Sequence, residues 1–105
     1  MNNHPAGARI YAELPKGRGF VLRIGQEHYQ GHPRVDCRVW YETRPGDPDT
    51  RRPTPKGINL SLRDLPGVLA ALQAAAADAL EAGNLKPEQF TRAGLSVPDL
   101  PRKAA

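Results

Sequence analysis

The sequence predicts an α+β protein: a curved antiparallel sheet of about four strands followed by one long helix, assembled as a homodimer. Three observations predict it. Apolar and polar residues alternate in short runs between Arg9 and Leu62, and the period changes to about 3.6 residues after Leu62. A chain of 105 residues with 6% aromatics and a mean hydropathy of −0.58 has a thin, mostly aliphatic core, which a second copy would thicken. Strands first and a helix last place the helix across the sheet's apolar side.

Residues 1–8 are small and polar and read as a flexible arm. From Arg9 to Leu14, Ile10, Ala12 and Leu14 alternate with Arg9, Tyr11 and Glu13, a short strand. Pro15-Lys16-Gly17-Arg18-Gly19 is a turn by composition. A second strand begins at Phe20 and extends towards Tyr29, with Gly25 as a bulge or kink, and Gln30-Gly31-His32-Pro33 closes a hairpin. "RVDCRVWYET", Arg34 to Thr43, is the strongest strand: Val35, Cys37, Val39 and Tyr41 share one face, and Arg34, Asp36, Arg38 and Trp40 the other. The prolines and glycines of "RPGDPDTRRPTPKG" predict a mobile basic loop, after which Ile58, Leu60 and Leu62 mark a last short strand.

Leu65, Val68, Leu69, Leu72, Ala76, Ala79 and Leu80 then gather on one side of a helix. Asp64 is its expected cap, because Pro66 then falls in the first turn, where its missing N–H costs little. Gly83-Asn84 ends it. The expected organisation is thus an arm (1–8), a strand-rich binding and dimerisation domain with its helix (9–83), and a tail (84–105) holding a short helix from Pro87 to Ala93 and a disordered end from Ser96.

The formal charge of +4 is unevenly placed: Arg9 to Arg63 holds 11 basic against 6 acidic residues, whereas the remainder holds 4 against 5. The cationic part is therefore the strand region, which favours an acidic partner. A lone Cys37 cannot form an internal disulfide and no secretory leader opens the chain, which predicts a reducing, cytoplasmic setting, nucleoid-associated if the partner is DNA. No membrane span is expected, since Gln73, Asp78 and Glu81 interrupt the alanine-rich stretch.

If the helix covers the apolar side, the opposite face carries Arg23, Arg38 and Trp40 beside basic loops. Cations that neutralise phosphates and an aromatic ring that stacks on unpaired bases suit a single-stranded nucleic acid with little sequence preference. The blander reading makes Arg38 and Asp36 a surface ion pair and Trp40 a core or interface anchor.

"RVDCRVWYE", then a variable loop and "PTPKGINLSL", resembles the C-terminal domain of the eukaryotic transcriptional positive cofactor four family and its bacterial relatives, over approximately Arg18 to Gly83. The resemblance implies a homodimer that binds single-stranded DNA in grooves formed by its sheets. Arg38 matches the family's arginine after the aspartate, Lys56 its lysine before the glycine, and Arg52 a basic residue ahead of it. Tyr29 falls at an aromatic before the hairpin glycine, and Trp40-Tyr41 cover a strand-end aromatic pair. Gln30 and His32 stand where the family usually has lysine, and Pro55 replaces a basic residue, which implies weaker or more salt-sensitive binding. With Arg18, Arg23 and Arg51 from the surrounding basic segments, the expected nucleic-acid-binding set is Arg18, Arg23, Tyr29, Arg38, Trp40, Tyr41, Arg51, Arg52 and Lys56. The long serine- and lysine-rich arm of eukaryotic members is not found before this domain, so a coactivator role does not carry over. Transcription regulation and DNA replication or repair are the processes such a protein serves, and the alanine, arginine and proline usage fits a GC-rich bacterial or phage genome.

No catalysis and no cofactor are expected. His28, His32 and Cys37 lack a second cysteine and a fourth zinc ligand, "PKGRG" lacks the Lys-Ser/Thr ending of a phosphate-binding loop, and Asp47 and Asp49 lie in the proline loop, poorly placed to hold catalytic geometry. RNA stays open as a partner, because stacking alone does not read the 2′-OH. The alternative function is a dimeric interaction module whose basic face docks an acidic protein, such as a component of the transcription machinery.

Overall fold

The computed structural model describes residues 9–99, so the expected arm and the last six residues of the tail lie outside the described residues. The chain divides after Leu65 into a sheet unit and a helical unit, whereas the sequence-based boundary at Gly83 falls at the end of the long helix.

The sheet unit is a four-stranded antiparallel meander of β1 (Ile10–Pro15), β2 (Phe20–Tyr29), β3 (His32–Glu42) and β4 (Arg51–Ser61), in the order β1-β2-β3-β4. Its centre is the β2–β3 hairpin, which keeps an unbroken register from Phe20↔Tyr41 to Tyr29↔His32. The hairpin turn is only Gln30-Gly31, at φ 49° and 79°. Two consecutive positive-φ residues match the strands' right-handed twist, so His32 and Pro33 join β3 instead of the turn. Gly25 is not the bulge. It pairs in register with Asp36, and the irregularity lies across from it in β1, between Ile10 and Ala12.

The larger departure is β4. The expected mobile loop contracts to residues 43–50, where Asp47 Oδ1 accepts from the Asp49 N–H at 3.1 Å to cap a single 3-10 turn, Pro48–Thr50. Buried Thr50 closes this loop through hydrogen bonds with the main chain of Arg44 and Asp47. Arg51, Arg52 and Lys56 therefore sit on a strand. Two physical features admit Pro53 and Pro55 there: β4 is an edge strand, where a missing donor can face away from the ladder, and the register shifts between Arg38 and Trp40. Past this bulge β4 lies so close to β3 that a Cβ on Gly57 would meet Cys37 O at 2.5 Å and Arg38 Cα at 2.7 Å. The close approach that requires this glycine is to the chain's own neighbouring strand.

In the helical unit α1 spans Leu65–Glu81, which leaves Asp64 at the expected cap position and Pro66 in the first turn. Gly83 ends it at φ +80°, with Gly83 N–H donating to Leu80 O at 3.1 Å and Asn84 N–H to Ala79 O at 2.8 Å, the paired bonds of a Schellman cap. A short α2, Pro87–Arg92, follows, its start fixed by Lys86 N–H donating to the Gln89 side-chain oxygen at 2.8 Å. Phe90 is its buried anchor, and it lines one groove with Leu69, Leu72 and Ala76 of α1 and the returning Leu95 and Val97. Residues 96–99 have no regular secondary structure.

Candidate nucleic-acid interface

Alternation along four registered strands sorts the side chains onto two faces. The arginine face carries Glu13, Val21, Arg23, Glu27, Arg34, Asp36, Arg38, Trp40, Glu42, Arg51 and Asn59, read from the pairings Glu13↔Arg23, Arg23↔Arg38, Asp36↔Asn59 and Glu42↔Arg51. The apolar face carries Leu14, Phe20, Leu22, Ile24, Val35, Cys37, Val39, Tyr41, Ile58 and Leu60, with Arg52 opposite Tyr41.

The arginine face is not the open cationic platform that the alternation predicts. Trp40 is only 6% exposed. It stands between Val21 and Pro53 in its register row, and the Arg23 guanidinium lies 3.8 Å from its ring centroid. Such a cation–π contact is strong when desolvated. Arg23, Arg38 and Arg51 are themselves neutralised. Arg23 and Arg38 face each other across β2 and β3, an arrangement that repels unless carboxylates intervene. Glu13 takes Arg23 at 2.8 Å and Arg51 at 3.0 Å, Glu42 takes Arg51 at 3.1 Å, and Asp36 takes Arg38 at 3.1 Å. Arg38 also donates to Thr54 O at 3.0 Å, and Asn59 donates to Asp36 at 3.2 Å. Arg34 donates to the Asn59 side-chain oxygen. Hydrogen bonding to Asp36 raises the Arg38 pKa further. Asp36 is 5% exposed, so this pair belongs to the fold and is not a loose surface contact.

The opposite face has the complementary character. No carboxylate occurs among its strand residues, and at one end it exposes Phe20 (46%) and Tyr41 (38%). Arg52 is exposed beside Tyr41, its guanidinium donating, among the described residues, only to the Arg51 carbonyl at 2.9 Å. Lys16 and Lys56 line a cleft with Phe20, Val39, Thr54 and Pro55, and among the described residues neither lysine is in an ion pair. The bulge in β4 shapes this cleft: Thr54 Oγ1 donates to Val39 O at 2.7 Å and accepts from Lys56 N–H at 3.2 Å.

The expected set therefore separates into three groups. Tyr41, Arg52 and Lys56 come together at the open end of the apolar face. Arg23, Arg38, Trp40 and Arg51 are engaged with one another and with carboxylates on the other face. Arg18 is exposed in the β1–β2 turn, and Tyr29, 63% exposed, stands at the hairpin end of the sheet. Sequence reasoning missed Phe20 and Lys16. The signal for Phe20 was available in the hairpin: counting back from Gln30-Gly31 pairs it with Tyr41.

His28, His32 and Cys37 do not converge. Among the described residues no group of three His, Cys, Asp or Glu side chains is placed to hold a metal ion. Burial, and then the neighbouring Asp36 carboxylate, push the Cys37 thiol up, away from the thiolate that a metal or a nucleophilic mechanism needs. No helix among the described residues is long and apolar enough to cross a membrane.

No family model matches the sequence, and no curated protein matches it. Among solved structures the fold finds the PC4 homolog BPSL1147 from Burkholderia pseudomallei K96243 in two crystal forms. The tetragonal form is 28% identical with a TM-score of 0.58, covering 67% of this chain and 98% of that one. The orthorhombic form is 27% identical with a TM-score of 0.54, covering 66% and 89%. The fold is PC4-like. Nearly all of BPSL1147 is thus matched, while a third of this PC4-like chain lies outside the match.

Proposed function

We propose that this PC4-like protein binds single-stranded DNA with little sequence preference, as a homodimer whose residues 9–83 form the binding and dimerising part. Likeness to a PC4 homolog supports the class of ligand. The observation that carries the reading in this chain is the exposed Tyr41 beside Arg52 and Lys56, cations with no carboxylate partner among the described residues. A base can stack on the ring while the cations neutralise adjacent phosphates, and neither contact asks which base is present. Arg18, in the β1–β2 turn next to Phe20, extends the surface at its margin, whereas Tyr29 lies on the other face at the far end of β2.

The dimer is supported by apolar surface that one subunit does not bury. Ile58 is 55% exposed, Leu14 50%, Leu69 53% and Leu72 62%. Exposed aliphatic groups in such numbers favour a second copy. A cytoplasmic, nucleoid-associated role in transcription, replication or repair follows from the ligand, and catalysis has no part in it.

Fluorescence anisotropy with labelled single-stranded DNA, duplex DNA and RNA across a salt series tests the function, and sedimentation tests the dimer. Single strands should bind tightest, and their affinity should fall steeply with salt. If no single strand binds at low ionic strength while an acidic protein partner does, the interaction-module reading replaces this one. Equal affinity for RNA would widen the ligand to single strands of either sugar.

A further inference from the structure

Resting on the single-strand reading, we propose that the polymer crosses the sheet at right angles to its strands, and that Phe20 is a second base platform beside Tyr41. Phe20, Tyr41 and Arg52 occupy one register row, on β2, β3 and β4 respectively. Directly opposed residues in an antiparallel sheet have Cβ atoms about 4.5–5.5 Å apart, so the two rings stand side by side with their exposed parts on the same face. Successive bases can each find a π-surface there.

The direction follows from what lies on either side. Going along the strands from this pair, the next residues on the same face are Leu22 and Val39, then Ile24 and Cys37: side chains with neither charge nor ring. Going across the strands, the path meets Lys16 before Phe20 and Arg52 after Tyr41, with Lys56 against the same cleft as Lys16. Only the crosswise route has cations at both ends of the aromatic pair. Phosphates repel one another and need positive charge at each step, so a polymer laid lengthwise would leave its backbone over aliphatic carbon. The arginine face offers a poorer route, since its ring is covered, the guanidinium groups of Arg23, Arg38 and Arg51 are held by carboxylates, and Arg34 is bonded to Asn59.

Phe20→Leu keeps apolar bulk while removing the π-face, and Phe20→Trp enlarges it and adds a fluorophore. With oligo-dT at fixed salt, Phe20→Leu should lose affinity on the order of tenfold, with an unchanged melting temperature confirming the fold. Phe20→Trp should bind at least as well as the wild type. Its new indole should be quenched by the oligonucleotide, whereas Trp40 in the wild-type chain should change little. Lys16→Gln should lower the slope of log affinity against log salt by about 0.7. If Phe20→Leu binds like the wild type and the Phe20→Trp emission ignores the oligonucleotide while the wild type still binds it, the crosswise path is wrong and the function stands. Failure of the wild type to bind any single strand would overturn the function and the path together.

Discussion

Arg23 and Arg52 are both arginines on neighbouring parts of one sheet, yet they differ in almost every physical respect. The Arg23 side chain is 11% exposed, salt-bridged to Glu13 and laid over Trp40. Arg52 is exposed and, among the described residues, bonds only a neighbouring carbonyl. The same contrast separates the two aromatics at the end of β3, since Trp40 is 6% exposed and Tyr41 38%. The lesson is that a cation's availability depends on the acid across the strand. A basic face with in-register carboxylates commits its cations to the fold, whereas Lys16, Arg52 and Lys56 on the other face have no carboxylate partner among the described residues.

Substitutions can break or sharpen this contrast. The largest effect is expected from Trp40→Ala, which empties the space between Val21 and Pro53 and should destabilise the fold by about 3–5 kcal/mol. Denaturant unfolding measures it, and loss of DNA affinity at unchanged stability would mean that the indole serves the ligand. Gly57→Ala comes next, at about 1–3 kcal/mol, because the new methyl collides with the β3 backbone and nothing flexible can yield. An alanine variant as stable as the wild type but weaker for DNA would reassign that close approach to the ligand.

Glu13→Gln should cost about 1–2 kcal/mol, by leaving two largely covered guanidinium groups short of a carboxylate. It also adds net positive charge to the arginine face. Oligonucleotide affinity should nevertheless stay within about twofold of the wild type if that face does not bind the polymer, and a clear gain in affinity would move the site there. The smallest change belongs to Arg52→Gln, which should reduce the salt slope by about 0.7 and leave the melting temperature unaltered.

Much of this was legible from residue order alone. Period-two alternation located β2 and β3, the Asp64 and Pro66 pair located the start of α1, and Gly83 its end. Two things were not legible. The density of proline between Arg44 and Gly57 pointed to a loop, because single-chain propensity does not know that a strand will lie at an edge with a bulge. The alternation also separated two faces correctly but assigned them the wrong accessibility, because it counts arginines without their partners. Glu13 lies ten residues from Arg23 and Glu42 nine from Arg51, and nothing local reveals that strand pairing brings them within 3.1 Å.

What the sequence by itself determined is therefore the order of the elements and, for β1, β2, β3 and α1, their type and the membership of each face, all properties of short-range periodicity and turn chemistry. Which face is free was decided only in the tertiary structure. Ion pairing and ring burial depend on register between strands, and register is a long-range property settled when the sheet assembles.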